Sequence, residues 1–247
     1  MWTKTSALVR TAWILAVYCF AVLVLHAWKP QFTNASQPVR GISDPVIAMQ
    51  MARNVDEVDN ILGDSPSAER EVMRIKQYID FAFIPGYVAL VIVIVEFLSR
   101  GRGPTWIFAW RTVETMAVFA GVYDIRENIA ILRVVDLTLA QTTPESIHAI
   151  SANSHLKWAA LALATAAMGA MVALTARRPG LRAIGLLALA GAGLTAFGLA
   201  QNTLLIWGGM LTVTALLLMA ATLKLLTHES VTEDPNTRPV RRSVRQI

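Results

Sequence analysis

Asp80 and Tyr87 are seven residues apart and fall on one helix face, while Ala117, Gly121, Asp124 and Asn128 form a second continuous face that opens with small residues. Glu127 neighbours that second face, and His155 and Lys157 stand near the start of a later apolar helix. A carboxylate beside another carboxylate, or in apolar surroundings, can be held protonated and serve as a general acid or base. His155 would then be a second titrating group. Asp80, Tyr87, Asp124, Glu127, Asn128, His155 and Lys157 are therefore the seven candidates for binding or transforming a lipophilic or small polar ligand. The same groups also admit a structural reading, as solvated helix ends or one ion-pair network. The residues alone do not assign acid and base, and they name no cofactor.

Metal chemistry finds little support. Asp80, Asp124, Glu127 and His155 are acceptable hard ligands, but no HExxH or other close-spaced ligand pair occurs, so no metal site is expected. His148 and His155 share a helix face at a spacing that suits interfacial packing. Cys19 is the only cysteine, which excludes an intrachain disulfide or a cysteine-rich metal site. No glycine-rich phosphate loop, P-loop or nucleophile elbow is present.

What must position these groups is a set of membrane helices. Of 247 residues 55% are hydrophobic and only 16% charged, too apolar a balance for an ordinary water-soluble domain. The charges gather in short blocks between long apolar runs. The expected fold is an all-α polytopic transmembrane bundle of about six spans. A signal-anchor span covers 1–28, an extracytoplasmic helical cap 29–79, a five-span bundle 80–226 and a disordered basic tail 227–247. Within the cap, Asp44-Pro45 starts a helix, and Ile47, Met51, Val55, Val58 and Ile61 recur at helical spacing, predicting one amphipathic stripe. Pro85-Gly86 lies inside the second span, and its freed carbonyl needs a donor from a neighbouring helix or water.

Basic turns set the orientation. With the N-terminus in the cytoplasm, Arg100 and Arg102, then Arg177, Arg178 and Arg182, then Arg238, Arg241, Arg242 and Arg245 all fall inside. The expected topology is N-in and C-in, multi-pass, in a bacterial inner membrane. That topology brings Asp80, Asp124, Glu127, Asn128, His155 and Lys157 to one depth on the outer side. An intramembrane carboxylate costs roughly 2.5 to 3.5 kcal/mol on insertion scales, so these groups should point inward, toward Lys157, Arg126 or one another. The net charge of +5 reflects orientation and not nucleic-acid binding, because no basic stripe with interleaved aromatics exists.

Asp80-Phe81-x-Phe83-Ile84-x-x-Tyr87 followed by Gly121-x-x-Asp124-x-x-Glu127-Asn128 resembles a group of uncharacterised bacterial polytopic membrane proteins, over about residues 43–175. The resemblance implies a shared bundle with an outer-side polar cluster and transfers no catalytic residues. Ser151-x-x-x-His155 resembles one element of transmembrane ceramidase-like hydrolases, but the histidine pair of those enzymes is missing. Three functions remain open. The cluster serves a lipophilic or small polar ligand, the chain is a non-catalytic subunit or assembly factor docking through its cap, or it is a small transporter. The lipid bilayer is the one partner common to all three.

Overall fold

The computed structural model describes residues 2–28, 30–33, 38–100 and 102–231. Among these there are eight α-helices and no strand: α1 (Trp2–Trp28), α2 (Pro45–Gln50), α3 (Val55–Leu62), α4 (Ala68–Ser99), α5 (Pro104–Val135), α6 (Pro144–Thr175), α7 (Pro179–Gly198) and α8 (Thr203–Val231). The fold is an all-α helical bundle of a polytopic membrane protein. Five of the helices, α1, α4, α6, α7 and α8, are long and apolar enough to cross a bilayer. The sixth long helix, α5, falls short by composition because it carries Arg111, Glu114, Asp124, Arg126, Glu127 and Arg133. It nevertheless lies packed between α4 and α6.

Local sequence explains where the helices start. Ser67 Oγ accepts from Arg70 N and Thr143 Oγ1 from Ser146 N, satisfying amides at the starts of α4 and α6. Proline occupies the first turn of α5, α6 and α7, where its missing N–H costs nothing. The first part of α4, from Ala68, continues unbroken into the span, as the sequence suggests. The chain around the basic tail, including Arg238, Arg241, Arg242 and Arg245, lies outside the described residues. The helical backbone of α8 itself reaches Val231, past the expected tail boundary at 227.

Consecutive long helices pack antiparallel. Thr5, Tyr18 and His26 of α1 meet Arg100, Ala82 and Lys76 of α4 respectively. Between α4 and α5, Glu96 meets Arg111 at 3.7 Å and Arg74 meets Asp136 at 2.5 Å. Small residues bring the later helices to backbone contact: a Cβ on Gly185 of α7 would stand 2.6 Å from Ala173 N of α6, and one on Gly198 would stand 2.5 Å from Leu205 N of α8. α1 also touches α8, which closes the six helices into a ring. Trp13, Phe108, Phe197 and Trp207 lie exposed around this ring, as residues facing acyl chains should. Tyr18 meets α4 beside Pro85: its hydroxyl donates to Ala82 O at 2.6 Å, one residue from Phe81 O, the carbonyl that proline deprives of its helical donor. Its ring fills the space above Gly86, where a Cβ would come within 2.6 Å.

The cap departs from the single stripe expected. Its helix breaks at Ala52–Asn54, because Asn54 Oδ1 accepts from Glu57 N at 2.8 Å and Glu57 Oε2 accepts from Arg53 N at 2.7 Å, a reciprocal cap that starts a new helix. Both short helices still bury the apolar side, with Met49, Val58 and Leu62 fully enclosed against Met73, Ile131, Ile147, Ile150 and Leu205 of the bundle. The cap sits in a step. α7 ends at Gly198 and α8 begins at Thr203, whereas α4, α5 and α6 continue well beyond the level of that turn. Gly41 stands against Thr203 at its foot.

Arg70 clamps the cap to α5. Its Nη1 donates to Val134 O, Val135 O and Leu137 O at 3.0, 3.1 and 2.6 Å, and its Nε to Gly63 O at 2.9 Å. One buried cation thus satisfies the carbonyls at the end of α5 and the turn after α3, where a positive charge also suits the helix dipole. Close by, Asp64 accepts from Leu139 N and Ser65 N, and these amides hold its carboxyl below the usual carboxylate range. Arg70→Met keeps the stem but strands these carbonyls, so it should lower stability in detergent by about 3 kcal/mol. Thermal unfolding checks this, and a loss below about 0.5 kcal/mol, the ordinary scatter of surface substitutions, would remove Arg70 from this role.

Candidate functional site

Three helices contribute the polar cluster. α5 turns Asp124, Glu127 and Asn128 inward with Ala117, Ala120 and Gly121, so the small face predicted from sequence lets α4 approach closely. A Cβ on Gly121 would stand 2.8 Å from Val88, and 3.8 Å from the Tyr87 hydroxyl. α4 supplies Asp80 and Tyr87, and α6 supplies Lys157.

Lys157 is the centre. Its Nζ lies 2.9 Å from Asp124 Oδ1 and 2.8 Å from Glu127 Oε1, with all three side chains almost wholly buried. Tyr87 donates its hydroxyl to Asp124 Oδ2 at 3.2 Å, and Asn128 Nδ2 donates to Asp80 Oδ2 at 2.8 Å. Six of the seven residues singled out from sequence therefore converge. His155 does not. It is exposed, and its Nδ1 is 2.6 Å from Ser151 O of the preceding turn, two residues around the helix from the inward-facing Lys157. Arg126, considered as a partner, also points away, its guanidinium 5.8 Å from the Tyr123 ring centroid.

Sequence reading missed three neighbours. Ser154, fully buried, lies one turn before Lys157 and beside Glu127. Gln77, 1% exposed, lies one turn before Asp80. Trp158 carries its ring 5.1 Å from Lys157 Nζ and donates Nε1–H to Gln50 Oε1 of α2 at 3.1 Å. The three-residue spacing to Lys157 and Asp80 was a usable signal for the first two; nothing in the sequence pairs Trp158 with Gln50.

Two features define what the cluster can do. It assembles three carboxyl groups around a single ammonium, so full ionisation would leave excess negative charge in a poorly solvated place. The atoms in and beside it that are buried without any partner are acceptors: Glu127 Oε2, Asn128 Oδ1 and the nearby Gln77 Oε1. Glu127 and Asn128 are 0% exposed, so no water-sized void touches them. Among the described residues no group of three His, Cys, Asp or Glu side chains is arranged to hold a metal ion. The cluster can accept donors and positive charge, and this packing admits only the smallest of them.

Comparison with known proteins gives no matching protein family, no similar curated protein and no similar solved structure. The chemistry of the site must carry the functional reading by itself.

If Lys157 is the common partner of Asp124 and Glu127, breaking the pair should cost about 3 to 5 kcal/mol, against about 0 to 1 for a solvated pair. Asp124→Ala and Lys157→Ala should each lower unfolding free energy in detergent by that larger amount, and the double variant should lose less than the sum. Small additive losses would reduce the cluster to solvated helix ends.

Proposed function

We propose that this chain is a multi-pass protein of a bacterial inner membrane, N-in, whose outer-side cluster of Asp80, Asp124, Glu127, Asn128, Tyr87 and Lys157 is a reversible proton-binding site. The observation that carries the reading is the three-to-one ratio of buried carboxyl groups to ammonium, together with the buried acceptor atoms Glu127 Oε2 and Asn128 Oδ1 that have no partner. A purely structural network balances its charges, because each uncompensated buried charge is costly. Protons reduce the imbalance here: each converts a carboxylate into a donor and needs no added volume. A lipophilic ligand is disfavoured by the absence of space against Glu127 and Asn128.

The subunit reading loses its main support, since the apolar side of the cap is already buried on its own bundle. Proton binding suits a small proton-coupled transporter or a protein that changes shape with outer pH. The orientation rests on the basic turns at 100–104 and 176–182, which share the end of the bundle opposite the cap. Reporter fusions after residue 60 should read outside and fusions after residue 180 inside; the reverse pattern would overturn the topology.

The proton site itself is tested by infrared titration of the full-length protein in nanodiscs. A protonated-carboxyl stretch should appear and disappear reversibly with pH, and Glu127→Gln or Asp124→Asn should move or remove it while the protein stays folded. A spectrum with no such band across the stable pH range would leave a fixed clamp.

A further inference from the structure

The cluster lies at the depth where α7 and α8 turn around, and what stands over it is not lipid. From the inner turn at Arg100 to Asp80, and from Pro104 to Asp124, is twenty residues, about 30 Å of helix, the full thickness of a hydrocarbon core. Asp80 and Asp124 therefore reach the outer edge of the membrane, where water would enter if the bundle ended there. Gly198 and Thr203 mark the end of α7 and the start of α8, and the step above that turn is filled by the cap. On the inner side the site is closed by Leu90, Val91, Ile94, Val113, Ala117 and Met168, a continuous apolar layer with no buried charge.

The outer closure is different in kind. Met49 and Leu62 of the cap, both 0% exposed, rest on Met73, Ile131 and Ile150, and this seal is built from two short helices of six and eight residues. Below it lies Gln77 with its unpartnered Oε1, then Asn128 with its unpartnered Oδ1, so polar acceptors begin directly under the seal. A direct link ties seal to site: Gln50, the last residue of α2, accepts from Trp158, and Trp158 adjoins Lys157 in the chain with its ring facing the ammonium.

We propose that the cap is the outer lid of the proton site and that the Trp158–Gln50 hydrogen bond is its latch. The proposal rests on the cluster being a proton site. Lifting α2 and α3 exposes Gln77, Asn128 and Asp80 to outer water. Closing them restores the dry environment in which Lys157 is shared. The groups that face the cluster are Asp80 and Tyr87 from α4, Asp124 and Glu127 from α5, and Lys157 from α6. α1 adds no charge there, because Tyr18 and Cys19 pack at Gly86 and His26 lies at Lys76. On the lid side Lys76 of α4 donates to His26 O and lies within electrostatic range of Asp44, the residue that caps α2, while Glu69 and Arg70 are engaged by Thr33 and by the end of α5.

The test is the rate of proton exchange after a rapid pH change, read by the protonated-carboxyl stretch of the full-length protein in nanodiscs. Trp158→Phe keeps an aromatic ring but removes the N–H donor along with part of the indole that packs at Gly209; Gln50→Ala removes the acceptor alone and is the cleaner of the two. Each should speed exchange about fivefold, the equivalent of about 1 kcal/mol for one hydrogen bond, and the double variant should be no faster than either single one. The equilibrium titration of Gln50→Ala, which lies outside the cluster, should stay that of the unaltered protein. Leu90→Ser, in the inner layer, should leave the rate unchanged. Unaltered rates in both latch variants, or acceleration by Leu90→Ser alone, would overturn the lid. Failure of the site is separate, because it would show as the absence of a titrating band in the unaltered protein.

Discussion

Lys157 is an ammonium held in the interior by two carboxylates from the neighbouring helix, Asp124 and Glu127, and much of the architecture follows from keeping that group dry and paired. A single buried ion costs several kcal/mol after relaxation, so the arrangement persists only if geometry and further hydrogen bonds compensate it. The two carboxylates are three apart on α5, which places both within reach of one amine from α6. Tyr87 of α4 bonds the remaining oxygen of Asp124 and fixes the third helix in register. The small face of α5 at Ala117, Ala120 and Gly121 is what lets that tyrosine approach.

The same requirement accounts for the cap. Asp80 and Asp124 come about 30 Å from the inner turn, so the bilayer alone would leave the cluster at its wet edge. Extended ends of α4, α5 and α6 raise a wall on one side, and the short α7–α8 hairpin leaves a step on the other. The cap fills the step with Met49, Val58 and Leu62. Polar contacts add to this apolar packing: Arg70 holds the end of α5, Asp64 takes the Leu139 amide, and Glu69 accepts from Thr33. Short helices fixed this way are marginal alone and depend on the bundle for their stability.

The bundle was legible in the sequence because long apolar runs alternate with short blocks of charge, and Asp44-Pro45 begins a helix where residue chemistry says it should. Convergence of Asp80, Asp124, Glu127, Asn128 and Lys157 was also legible, since alternating helix directions fix depth and a buried charge must face a partner. His155 was misplaced because depth does not fix azimuth: two residues from Lys157 is about 200° around a helix, which turns its ring outward. The cap failed as one stripe for a local reason. Apolar periodicity carried across Ala52–Asn54, but Asn54 and Glu57 satisfy backbone amides better by starting a second helix. The Trp158–Gln50 bond joins residues 108 apart and depends on the step in the bundle, which no local pattern encodes.

Charge balance separates a structural network from a working one in this interior. Arg70 is also a buried cation, yet it is met by neutral carbonyls at a helix end, where the dipole already offers partial negative charge and no proton need move. Lys157 is met by full carboxylates that outnumber it, and Asp80 adds a third whose contact is the amide of Asn128, not a cation. The first arrangement has one stable charge state across ordinary pH. The proposed proton site would have several, differing in which carboxyls carry protons and in whether Asn128 and Glu127 find donors for their free oxygens. Selection for stability alone favours replacing such a set by apolar residues of similar volume, as the rest of the α4–α5–α6 interface has been, with Leu90, Ile94, Val113 and Met168. The cluster's position, at the depth where the cap and not a lipid chain stands over it, suits the proposed proton exchange in a way that a clamp would not need.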